Sequence, residues 1–270
     1  MRSKPARWDK ISALLHKEWS EVFKNRLVLF TVAFLPLIMT ALPLIALYAM
    51  SVSGGPGGLT ASDMPPGFEA MCGKMTASAC AQYFVVSQFM LLFMLLPLAI
   101  PVTIAAYSIV GEKATRTLEP LLATPVSTAE LLAGKGLAAA LPAIALTWLA
   151  FGIFALGVRL MTRSSEVMAR LGDPLWLLAI FIVGPLLAWA AVCAAVMVSS
   201  RTSDPRVAEQ ISMLVILPLL AVFFGQITGF ILIDARTILW LAAILFLLDA
   251  GLLAFAVRLF EREAILTRWH

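Results

Sequence analysis

Residues 111–135 read GEKATRTLEPLLATPVSTAELLAGK, a polar run set between two long apolar stretches, 83–110 and 136–158. Within it Leu118, Leu121 and Leu122 share one short helical face, and Pro125 stops that turn. Ser127 and Glu130 then stand at capping-box spacing, which starts a new helix. A plain connector needs none of this, so the spacing predicts a small structured helix wedged between two membrane spans.

The apolar stretches set the class. Hydrophobic residues make up 61% of the chain and charged residues 13%, and the mean hydropathy is +0.94, which excludes a soluble domain. Six runs, at 27–50, 83–110, 136–158, 175–198, 211–233 and 237–257, are long enough to cross a hydrocarbon core that takes about 20 helical residues. They are continuously apolar and do not alternate, which rules out a strand barrel. The expected fold is an all-α integral membrane protein with six transmembrane helices, an N-terminal interfacial helix and a short helix between the second and third spans.

Fifteen of the twenty Lys and Arg residues fall in segments 1–26, 111–135, 199–210 and 258–270. By the positive-inside rule those segments, and with them both termini, face the cytoplasm. The chain then divides into a cytoplasmic interfacial helix (1–26), a six-helix transmembrane domain (27–258, with outer loop 51–82 and polar segment 111–135) and a cytoplasmic tail (259–270). The formal charge of +4 describes contact with the inner leaflet, and no nucleic-acid partner is expected. The first apolar run starts at Leu27 and its 24 residues exceed a signal-peptide core, so it is expected to stay as a span.

Ahead of that run, Trp8, Ile11, Leu15, Trp19, Val22 and Arg26 step by three or four residues, with Lys10, Lys17, Glu21 and Lys24 on other faces. This describes a helix in the membrane interface, its tryptophans at headgroup depth and its lysines toward anionic lipid. The loop 51–82 contains SGGPGGLTASDMPPG and is expected to be irregular. Cys72 and Cys80 follow on the outer side, either as a disulfide closing a short loop or as two free thiols.

Pro36, Pro43, Pro97, Pro101, Pro185 and Pro218 lie inside spans and mark expected bends. In the fifth run, LPLLAVFFGQITGF, Gly225 and Gly229 form either a packing face or the start of a re-entrant turn. The intramembrane polar candidates are Gln226 and Asp249. A carboxylate at a helix centre costs about 2.5–3.5 kcal/mol on insertion scales, so Asp249 is expected to face the interior and hold a partner, either as a structural group, protonated or bonded to a hydroxyl or amide, or as a contact for substrate or a coupling proton.

Other chemistry is missing from the sequence. There is no His or Cys cluster at metal spacing, no G-x-S-x-G and no carboxylate pair suited to acid–base work, so no metal or catalytic residue is expected. Gly134-Lys135 looks like the end of a phosphate-binding loop, but Ala129 stands where its first glycine belongs and Gly136 where its hydroxyl belongs.

The segment 111–135 resembles the cytoplasmic signature of type 2 ABC (ATP-binding cassette) transporter permeases, the export-type membrane subunits. HKEWSEVFKNR before the first span, AEQISMLVILPL at the start of the fifth and RLFEREAIL after the sixth fit the same family in order. The sodium-exporter-like branch looks nearest, although the loop after the first span is shorter than that branch's outer domain.

The resemblance implies a permease subunit that forms the substrate pathway of an ATP-driven exporter in the cell's inner (plasma) membrane. It is not catalytic itself: ATP and Mg would bind a separately encoded ABC ATPase. Two permease copies, or this chain and a related permease, would pair around the pathway, surrounded by lipid. Glu112, Lys113, Thr117, Leu118, Glu119, Leu121, Leu122 and Thr124 would form the ATPase-coupling site. A multispan enzyme acting on lipid, or a non-transporting assembly subunit, are the alternatives; the first lacks clustered interfacial carboxylates or histidines, and the second would lack an ATPase-binding segment.

Overall fold

A computed structural model of the chain describes residues 7–24, 26–52, 72, 75–114, 127–228 and 235–259. Among them the secondary structure is helical, and six helical stretches are long and apolar enough to cross a membrane. α1 (Arg7–Lys24) precedes the first span, α2 (Arg26–Val52). The second span is α3 (Ala77–Leu92) continued through a 3-10 turn at Phe93–Leu95 into α4 (Leu96–Ala114). The third is α5 (Thr128–Met161), followed by a short helix, α6 (Ser165–Leu171). α7 (Pro174–Leu178), a π turn at Ala179–Val183 and α8 (Gly184–Arg201) make the fourth. The fifth is α9 (Pro205–Ser212), a 3-10 turn at Met213–Ile216 and α10 (Leu217–Ile227); the sixth is α11 (Ala235–Leu259).

The departures from α geometry sit where proline chemistry puts them. Pro97, Pro185 and Pro218 each lack an N–H and crowd the carbonyl four residues back, at Phe93, Phe181 and Leu214. Those carbonyls lie in the first 3-10 turn, the π turn and the second 3-10 turn respectively. Pro36, Pro43 and Pro101 are instead carried within helices assigned as α throughout, as is Pro142 in α5, which the sequence reading passed over. In the fifth span α10 continues as helix to Ile227, while Gly229 lies outside the described residues.

The second span is the hub. Of its most apolar stretch 83% is buried, against 11% for the fifth and sixth spans. Phe93 packs on Phe154 at 5.0 Å and edge-on to Phe151 at 6.2 Å, joining the second span to the third. Small residues bring the other helices close. A Cβ at Gly157 would collide with the Leu44 side chain, so the first and third spans touch there through the missing side chain. Phe30, Leu37, Leu156, Trp240 and Leu247 stay exposed, a band suited to lipid.

At the end of the bundle opposite α1, residues 159–174 hold more order than a loop. Arg170 of α6 stands over the rings of Tyr83 and Trp176, 5.4 and 5.5 Å from their centroids, and donates to Asp173 Oδ2 at 3.0 Å. Asp173 in turn caps α7 by accepting from the Leu175 N–H at 3.0 Å. This latch ties the second span to the fourth. Cys72 and Cys80 are joined by a disulfide, their Cα atoms 5.4 Å apart, at the start of the second span.

Candidate functional site

The capping box that starts α5 is formed. Ser127 Oγ accepts from the Glu130 N–H at 3.2 Å and Glu130 Oε2 accepts from the Ser127 N–H at 2.9 Å. Glu130 also faces Lys10 at 3.7 Å, an ion pair that carries α1 to the first turn of α5. Of the residues predicted for coupling, Thr117, Leu118, Glu119, Leu121, Leu122 and Thr124 lie outside the described residues, as does the side chain of Lys113. The segment's two bases are described, and they meet.

Glu112, near the end of α4, is 4% exposed and points into the bundle. Its Oε2 lies 2.8 Å from Lys135 Nζ on the second turn of α5, and its Oε1 accepts from Lys17 Nζ of α1 at 2.5 Å. Lys135, itself 6% exposed, also donates to Glu18 Oε1 at 2.7 Å and to Ser108 Oγ at 2.9 Å. Ser108 donates to Glu18 Oε2. Two ammonium groups and two carboxylates from three helices thus close a neutral network around one hydroxyl, with Glu21 at its rim.

Burial would raise the Glu18 carboxyl, but Lys135, which both attracts and bonds it, Ser108 and Lys17 together hold it below its ordinary value. For Lys17 burial works toward a lower value, and the Glu112 bond with the Glu112, Glu18 and Glu21 charges carries it above the ordinary one. The carboxylates of Glu18, Glu21 and Glu112 come within 4.8 Å of one another, as metal ligands can, yet Lys17 and Lys135 already lie against them. The donors present describe a charge-paired lock.

Sequence reasoning missed this lock because it read α1 as an interfacial helix only. Trp8 is exposed, but Lys17 reaches the buried Glu112 rather than pointing toward lipid, and Glu18, which was given no role, is 2% exposed. The contact is close because Gly134 leaves room for Leu14: a Cβ there would sit 3.0 Å from Leu14 Cδ1. Trp19 Nε1 donates to the Ala138 carbonyl at 3.1 Å and fixes the helix further along α5. The available signal was Gly134-Lys135 in a helix opposite a buried-phase Glu18.

The intramembrane polar candidates fall elsewhere. Asp249 is 6% exposed at the interface of α8 and α11, within electrostatic reach of the buried thiol of Cys193. Among the described residues neither of its oxygens has a hydrogen-bond partner, so the expected partner is not found. Gln226 is half-buried near the end of α10 with its amide oxygen likewise unpartnered.

A groove of about 410 Å³ runs between the first, second and fifth spans. Its walls are apolar apart from the hydroxyls of Thr31 and Thr103. Residues 12–238, which include the lock and all three walls of the groove, match the family model described as ABC-2 family transporter protein. No curated protein matches the chain.

Proposed function

This chain belongs to the ABC-2 transporter family, and we propose that it is the permease subunit of an ATP-driven exporter whose ATPase is a separate chain gripping segment 113–126. The family is a multi-pass membrane transport component that is not catalytic itself. Export direction, the separate ATPase, placement in the inner membrane with both termini cytoplasmic, and pairing with a second copy or a related permease are the proposal.

The observation that carries it is the contact between Glu112 and Lys135 at the two bases of the segment. A loop pinched by a buried ion pair moves as a unit with the helices that bear it, because breaking the pair leaves a buried charge uncompensated. Force applied at the tip would therefore reach α4 and α5 directly, and α1 through Lys17 and Glu18. The groove among the first, second and fifth spans then forms one wall of the substrate pathway, and the second copy the other. The kinship to the sodium-exporter-like branch rests on the sequence signature, and the proposal names no sodium site.

Co-expression with the ATPase tests the reading. The two chains should co-purify, and hydrolysis by the ATPase in proteoliposomes should depend on this subunit. A chain that hydrolyses ATP alone, or an ATPase whose rate ignores it, would overturn the assignment.

A further inference from the structure

Glu209, on α9, is half-buried, and its Oε1 accepts a hydrogen bond from Thr103 Oγ1 at 2.7 Å. Thr103 is one of the groove's two polar wall residues. Met213, Ile216 and Leu220, which form the fifth-span wall, follow Glu209 at i+4, i+7 and i+11, so the carboxylate continues the same helical stripe. Across from it Leu95, Ala99 and Thr103 repeat every four residues down the second span. Among the described residues the Glu209 carboxylate has a neutral hydroxyl as partner and no cation.

An apolar groove with a carboxylate bonded to one of its wall hydroxyls, and paired with no cation among the described residues, is complementary to a molecule that is apolar along its body and cationic at one end. A neutral acyl chain would leave that charge unmatched, and an amphipathic anion would be repelled by it. The lock described above differs in this respect, since its two carboxylates are already balanced by two ammonium groups. We propose that the groove between the first, second and fifth spans binds lipophilic cations, with Glu209 as the charge-recognising residue.

The proposal rests on the permease reading, which the ATPase experiment tests independently of the one that follows. The full chain in phosphatidylcholine nanodiscs is titrated with tetraphenylphosphonium and with tetraphenylborate, ions of like shape and opposite charge, against protein-free discs. The cation should bind in preference to the anion. Glu209→Gln should weaken cation binding about tenfold, the scale of a lost hydrogen-bonded charge contact, and leave the anion unweakened. Glu209→Asp, which keeps the charge, should retain the cation preference and controls for folding. Ile216→Trp, filling the groove, should weaken the cation as well. No charge preference in the parent chain, cation binding unchanged in Glu209→Gln, or binding unchanged in Ile216→Trp would each overturn the proposal; the first would mark a groove for neutral lipid or a second copy.

Discussion

Glu112 Oε2 and Lys135 Nζ lie 2.8 Å apart, joining the last turn of one spanning helix to the second turn of the next across a segment of more than twenty residues. Both side chains are buried, and Lys135 serves Glu18 as well. A buried pair of this kind adds little over an apolar replacement of both members, but removing one member is costly. Lys135→Met should therefore destabilise the purified chain by about 3–5 kcal/mol, since it leaves two buried carboxylates with only the Lys17 ammonium between them. Adding Glu18→Gln and Glu112→Gln to the same chain should recover much of that loss. Thermal unfolding in nanodiscs distinguishes the outcomes, and a single variant as stable as the parent would mean the cluster is solvated.

The lock also sets a pH window. Glu18 is depressed in the folded state, so its contribution is present above the ordinary carboxyl value of 4.5 and is lost as pH falls through the lower folded value. Lys17 is raised, so its contribution is present below the ordinary 10.5 and is lost as pH rises through the higher folded value. Between these limits α1 should stay seated on α5. Trp19, whose indole N–H is bonded to the Ala138 carbonyl, reports on this: its emission should hold steady between the ordinary values of 4.5 and 10.5 and shift only below the first and above the second. A transition near neutral pH in a chain with Trp19 as its sole altered reporter would contradict the assignment of these groups.

The six spans were readable because twenty-residue apolar runs have few other uses, and the Ser127–Glu130 cap because its signal is local. The lock was not, for a physical reason. Lys17, Glu18, Glu112 and Lys135 are brought together from positions up to about 120 residues apart, and each alone reads as an ordinary interfacial charge. An amphipathic pattern also assigns faces relative to water or lipid, and cannot tell which polar residues a neighbouring helix will cover. Leu14 and Glu18, four residues apart, share the covered face of α1, whereas the strongest apolar marker, Trp8, is exposed. Helix bends were half readable: proline positions were plain, but only three of them have non-α turns at the carbonyl they crowd.

Asp249 carries the clearest revision. With a partner, Asp249→Leu would leave a buried polar group unsatisfied; without one among the described residues, the same change removes a buried carboxylate that nothing offsets. Asp249→Leu and Asp249→Asn should both assemble normally, with Leu equal to or more stable than the parent by up to about 2 kcal/mol. Size-exclusion and thermal unfolding give stability, and substrate flux gives function. Normal assembly with flux abolished in both variants would make the carboxylate a transport group; a Leu variant that fails to assemble would mean that a partner exists.

The remaining test addresses the tip of the segment whose bases the lock holds. By their spacing Leu118, Leu121 and Leu122 would share one face if the segment were helical, and Pro125 stands in the sequence between them and the Ser127 cap of α5. Under the proposed function such an apolar set would gain by burial against the ATPase, and a few anchors of this kind commonly dominate an interface. Leu121→Asp with Leu122→Asp puts two charges into it. Co-purification of the ATPase and substrate-stimulated hydrolysis should fall together, by at least about tenfold in affinity, since each lost anchor costs more than 1 kcal/mol. Insertion and unfolding temperature should be unchanged, because neither residue belongs to a span or to the lock. Lys135→Met predicts the converse pattern of lower stability with the ATPase still bound at low temperature, since it loosens the base and leaves the tip intact. If the double variant held the ATPase with unchanged coupling, the grip would have to lie elsewhere, and the lock would be a structural brace rather than a lever.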